Sequence, residues 1–158
     1  MLETFTIPDI LAIASVVVAI LILTYFSGKT LITANAFQKG VNLYQQKDYQ
    51  GAKAAFERVI SLNSTNDVVR LLLGDIFKEQ GNIQQATELY QEVIRSSPKN
   101  PDAYLRLANV FMDANQPESA KINLQQAQAL LQKQRQPQRA QQISHLLEKI
   151  TAKSGNQL

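Results

Sequence analysis

The sequence predicts an all-α protein: an N-terminal transmembrane helix, then an α-solenoid of three helix pairs, then a C-terminal capping helix. Three observations carry this. Residues 10–28 run for 19 positions without a charged side chain. Through the middle of the chain, small and bulky residues return in one register every 34 positions. After Pro137 that register stops, but apolar residues continue at helical spacing.

The first element is the span. "ILAIASVVVAILILTYFSG", residues 10–28, would be about 28 Å long as a helix, close to the hydrocarbon thickness of a bilayer. A buried core helix is usually shorter. A cleavable signal sequence is the sharper rival, because Ala34-Asn35-Ala36 resembles a small-x-small cleavage site. Such a signal needs a basic head, and residues 1–9, "MLETFTIPD", carry Glu3 and Asp9 with no Lys or Arg. A retained anchor is therefore expected. Lys29 and Lys39 follow the span and no basic residue precedes it, which puts the repeats on the cytoplasmic side or its organellar equivalent. Tyr25 and Phe26 fall at the interface.

The repeats occupy residues 33–134, in windows of about 33–66, 67–100 and 101–134. Gly40, Gly74 and Ala108 share one register position, Ala52, Ala86 and Ala120 another, and Phe56, Tyr90 and Leu124 a third. A period in the thirties with two helical patterns per copy is the mark of stacked helix pairs. The small residues are expected where the first helix of a pair meets the second, and Phe56, Tyr90 and Leu124 between successive pairs. In the second copy Asn66 is placed to cap the first helix, and Gly81 to end it. Asn82 and Gln85 then suit a capping box on the second helix. In the third copy, Asn100 precedes Pro101, and Pro117 opens the second helix.

The last element, 136–152, has Ile143, Leu146, Leu147 and Ile150 as one apolar stripe, suited to sealing the final pair. Residues 153–158 are expected to be a flexible tail.

Composition narrows the function. The 158 residues include no cysteine and one histidine, so a thiolate or multi-histidine metal site is excluded, and the net charge is only +3. Nothing here points to nucleic acid, a cofactor or a small-molecule substrate. A Ser-His-acid triad would have to use His145, which lies beside Ser144 in the capping segment and suits a surface position better. Glu57, Asp75, Glu79, Glu88 and Glu92 are spaced as on a solvated face. No enzyme is expected; a protein-binding role is.

Residues 33–134 resemble tetratricopeptide repeats in their small-aromatic-small pattern and in Pro98 at the close of the second copy. Ala36 and Arg70 depart from that pattern, standing where the family often has tryptophan. Ser64 and Gln132 replace the closing proline in the first and third copies. The resemblance implies a concave groove lined by first helices. Carried over by register, its positions are Phe37, Val41 and Tyr44, then Leu71, Asp75 and Lys78, then Leu105, Asn109 and Met112. The competing assignment makes several of these packed core or plain surface. Members that clamp acidic C-termini use lysine and asparagine where Phe37 and Val41 stand here. Only Arg106 matches that clamp, so it is not expected.

The layout of acidic head, single span and three repeats is also similar to the membrane-anchored tetratricopeptide assembly proteins of photosystem I in cyanobacteria and algal plastids. That resemblance implies a thylakoid location and photosystem I subunits as partners. The alternative is a bacterial envelope adaptor serving secretion, envelope assembly or cytochrome maturation.

Overall fold

The computed structural model describes residues 7–155, and every element among them is an α-helix. These are α1 (Ile7–Gln45), α2 (Tyr49–Leu62), α3 (Asp67–Glu79), α4 (Ile83–Ser96), α5 (Pro101–Asp113), α6 (Pro117–Lys133) and α7 (Pro137–Gly155). Helices α1 and α2 form one compact unit that ends at Ser64; α3 to α7 form a second that begins at Thr65.

In the first unit the span and the opening helix of the first repeat are one uninterrupted helix of 39 residues. Gly28 could have broken it, but a lone helical glycine costs only about 1 kcal/mol relative to alanine. No proline follows it before Gln45. The Thr30 and Thr33 hydroxyls donate to the carbonyls of Phe26 and Lys29, both at 2.8 Å, so neither competes with the helix for its N–H groups. The large apolar side chains between Ile10 and Ile32 are all exposed. From Thr33 onward the helix becomes amphipathic: Ala36 and Gly40 are buried, while Phe37, Val41, Leu43 and Tyr44 are half-buried.

The pairs close at glycine. A Cβ at Gly40 would meet Phe56 Cε1 at 2.5 Å, and one at Gly74 would lie 2.9 Å from Tyr90 Cδ1. Both separations are shorter than side chains tolerate, so each aromatic ring reaches the backbone of its partner helix only because no side chain intervenes. The third copy has alanine instead, and its partner is smaller: Ala108 packs in one cluster with Leu124. The expectation that Phe56, Tyr90 and Leu124 fill the space between successive pairs holds for Tyr90 and for Leu124, which meets Ile150 of α7, but it is incomplete. Each first packs inside its own pair, against the residue sixteen positions earlier. Tyr90 also reaches the next pair, clustering with Ala103, Leu107 and Val110.

The turn inside each pair is built the same way three times. Lys47, Gly81 and Asn115, spaced 34 residues apart, all have left-handed φ, at 61°, 79° and 55°. At each, two hydrogen bonds tie the turn back to the first helix, as in Gly81 N–H to Lys78 O at 3.0 Å and Asn82 N–H to Phe77 O at 2.8 Å. This is the Schellman pattern. Only the middle copy carries the glycine that the conformation favours. Side-chain caps are present where Asp48 accepts from Gly51, Asn66 from Val69 and Asn100 from Asp102. The capping box expected at Asn82 is not formed, because its side chain makes no cap bond. The Asn82 N–H is already committed to Phe77 O, which removes the donor that Gln85 would have reached for.

Helix α6 is 17 residues long against 14 in α2 and α4, and α7 packs beside it. Ile150, Ile143 and Leu147 cover Ala108, Leu124 and Leu105. Leu146 does not join them; it is 40% exposed, so the apolar stripe is narrower than its spacing predicts. Helix α7 continues through Gly155, into the stretch expected to be a tail, and the rest of that tail lies outside the described residues. So does most of the acidic head.

The glycine contact gives a sharp test. Gly74→Ala should destabilise the full chain in detergent by about 1–3 kcal/mol through overpacking. Combining it with Tyr90→Leu reproduces the pairing of the third copy and should recover part of that loss. Thermal melts by circular dichroism check this as a double-mutant cycle; strictly additive losses would contradict the close approach.

Candidate functional site

The nine register positions divide between the two units. In the first, Phe37, Val41 and Tyr44 lie along one side of α1, each half-buried. The Phe37 ring is 6.2 Å from that of Phe56, and Tyr44 is 5.8 Å from Tyr49. Phe37 and Tyr44 are therefore engaged with α2.

In the second unit, α3 and α5 carry the other six. Leu71 must be corrected: it is 4% exposed and sits in the core with Ala86, Tyr90, Val93, Ala103, Leu107 and Val110. Its register position faces the first helix of the next pair, not solvent. Leu105, one copy on, shows the same tendency. It is half-buried and packed among Ile143 and Leu147 of α7. Asn109 and Met112 are exposed, Met112 at 39%.

Asp75 and Lys78 are not loose surface charges. Arg106 Nε donates to both Asp75 oxygens at 2.8 and 3.0 Å, and its Nη2 donates to Oδ2 at 2.9 Å. Tyr90 adds its hydroxyl, donating to Asp75 Oδ1 at 2.8 Å. A planar fork of this kind is the strong form of ion pair. Burial works against the Arg106 charge, but the hydrogen bonds and charge of Asp75, with Tyr90 and Asp102 nearby, outweigh it and hold its pKa above the ordinary value. Lys78 Nζ is 2.8 Å from Asp113 Oδ2. Farther along, Arg139 of α7 pairs with Asp102 of α5.

So three ion pairs join successive first helices of this unit: α3 to α5 twice, and α5 to α7 once. The assignment of Asp75 to a solvated face is overturned by this network. Arg106, Asp102, Asp113 and Arg139 were not among the expected groove positions. They fall outside the repeating register, and each pair spans an offset different from 34 residues, so no periodic signal marks them. Val68, exposed at the start of α3, was likewise missed.

On this face the charges of Asp75, Lys78, Asp102, Arg106, Asp113 and Arg139 are joined in pairs, and His145 is a surface residue beside Glu148 at 3.6 Å. No group of His, Cys, Asp and Glu among the described residues is arranged to hold a metal. On α3 and α5, Val68, Asn109 and Met112 are open to solvent.

Leu71 and Met112 should separate cleanly in a stability assay. Leu71→Ala should lower unfolding free energy by about 2–5 kcal/mol, as core truncations do, while Met112→Ala should stay within about 0.5 kcal/mol. Urea melts of the detergent-solubilised chain measure both, and comparable losses would refute the division into core and open face.

A family model described as tetratricopeptide repeat matches residues 43–89 and 77–150. Among curated proteins, the DnaJ homolog subfamily C member 7 homolog of Schizosaccharomyces pombe is 31% identical over 100 residues. That match takes in 61% of this chain but spans only 20% of the relative's length. Among solved structures, the type III secretion translocator chaperone SycD of Yersinia enterocolitica superposes with a TM-score of 0.70 at 23% identity, over 77% of this chain and 93% of that one. PcrH in complex with the chaperone-binding region of PopD gives 0.68 at 21% identity, over 77% and 92%. The TPR2B domain of yeast Sti1, in a pHsp70 complex, gives 0.69 at 17% identity, over 78% and 98%. At these identities the structures show a shared fold. With the glycine-closed pairs and the repeated turn, the family match settles kinship: this chain belongs to the tetratricopeptide-repeat family.

Proposed function

We propose that the protein is a single-span membrane protein whose repeats recruit a protein partner to the bilayer surface. The observation that carries this reading is the uncovered apolar half of α1. That helix is long and apolar enough to cross a membrane, and among the described residues no other element covers it. Its hydroxyls suit lipid as well: Ser15 donates to Ala12 O at 2.7 Å and Thr24 to Leu21 O at 2.9 Å. A polar side chain bonded to its own helix is satisfied without water.

The binding role follows from the family. Structural neighbours include SycD in complex with a peptide of the translocator YopD, and PcrH with the chaperone-binding region of PopD. By analogy of fold, the open face of α3 and α5 receives a segment of another protein, contacting Val68, Asn109 and Met112. Apolar anchors with a few polar groups suit a helical or extended peptide. The anchor confines this face to the membrane plane, which raises its effective concentration towards membrane-bound partners without any added contact. Lys29 and Lys39 favour repeats on the cytoplasmic or stromal side.

Photosystem I assembly at the thylakoid rests on the layout of the chain alone. The envelope adaptor draws support from the fold shared with secretion chaperones. One experiment separates them. A photo-crosslinking residue is placed at Met112, and in a second version at Ile122, which is exposed on α6. Adducts are recovered from carbonate-washed native membranes and identified by mass. The proposal expects a discrete adduct from Met112 and none from Ile122, with photosystem subunits or secretion and envelope proteins deciding between the readings. Equal adducts from both positions would remove the face, and a chain found only in the carbonate supernatant would remove the anchor.

A further inference from the structure

The ion pair at the centre of the α3–α5 face has a consequence for what the face accepts. An arginine on a binding surface is ordinarily a receptor for carboxylates, because its fork matches their geometry. Here the Nε/Nη2 edge of that fork is already taken, and the charge is balanced by Asp75. Asp75 takes Nε and Nη2, and the Asp102 carbonyl oxygen lies 3.5 Å from Nη1. Asp75 cannot easily turn aside, since Tyr90, fully buried and wedged on Gly74, holds one of its oxygens. The other cations are occupied too: Lys78 by Asp113, Arg139 by Asp102. An acidic ligand reaching the remaining edge of Arg106 would meet a cation already neutralised by Asp75, with that partly buried carboxylate beside it.

We propose that Asp75 is a specificity-determining residue: its carboxylate occupies Arg106 as an internal stand-in for a ligand, so the face rejects acidic peptide termini and selects uncharged, apolar segments. This rests on the reading of the α3–α5 face as the binding surface. Its register equivalents are Val41 and Asn109, so the device belongs to this one junction between copies. The recognised segment is then one whose side chains are mainly aliphatic and whose charge is neutral where it crosses Asp75.

The test uses the full chain in nanodiscs of neutral lipid and two fluorescent probes. One is a short peptide with glutamates before a free C-terminal aspartate; the other is its amidated glutamine and asparagine analogue. Wild type should bind the acidic probe no more tightly than the neutral one. Asp75→Asn keeps the side-chain shape and an acceptor for Tyr90 while freeing Arg106. It should bind the acidic probe at least about tenfold more tightly, the scale of one charge-assisted contact. That gain should vanish in high salt and in Asp75→Asn/Arg106→Gln. A folded Asp75→Asn variant with no gain overturns the proposal. So does a wild type that prefers the acidic probe and loses that preference in Arg106→Gln. If Asp75→Asn loses helicity by circular dichroism, Asp75→Ser is read in its place: the proposal requires the same gain for the acidic probe, and a folded variant without that gain overturns it. These outcomes are separable from failure of the face itself, which is reported by the adducts at Met112.

Discussion

An α-helix satisfies its backbone from within, and one that runs without a break from an exposed apolar stretch into a protein core must change its surface without changing its ladder. Helix α1 does this. Up to Ile32 its large apolar side chains remain exposed on all sides of the helix. Past Thr33 one side closes on α2 through Ala36 and Gly40, with Phe37 against Phe56. The first repeat thus shares its opening helix with the exposed apolar stretch. Gly40 lies 12 residues beyond Gly28, about 18 Å along the axis. A flexible linker would have let this pair move independently of the apolar stretch; a continuous helix fixes the distance between them.

Within the pairs, the governing contact is an aromatic ring on a bare backbone. It explains why the small residues recur, and also why the third copy can differ. Alanine at 108 takes up room that leucine at 124 gives back. The same economy of space accounts for the polar network: Tyr90 must lie on Gly74 to bring its hydroxyl to Asp75, and Asp75 then fixes Arg106 on the next first helix. Packing and electrostatics meet in one side chain.

The helices, their partners and most of their ends were legible in the sequence because each follows a local or periodic rule. Asn66, Gly81, Asn100 and Pro101 act where their chemistry places them. Leu71 was not legible, because register says which copies are equivalent but not whether a position faces solvent or the next helix. Leu146 fails for a related reason, since helical spacing defines a stripe wider than the surface that α7 has to cover. The ion pairs were least legible. Asp75 and Arg106 are 31 residues apart on different helices, and nothing in either local sequence announces the other. The left-handed turns at Lys47 and Asn115 were hidden because neither is glycine, and only their place in the repeat gives them away.

The account depends most on α1 being a single rigid rod that joins the span to the first repeat. The native chain has no cysteine, so spin labels can be attached at Ser27→Cys and Gln45→Cys alone. Pulsed electron–electron distance measurement in nanodiscs then reads the segment directly. An unbroken helix places these backbone positions about 27 Å apart, in a single narrow distribution. A broad distribution, or a peak shortened by a bend between Gly28 and Ala36, would show a hinge and contradict the account.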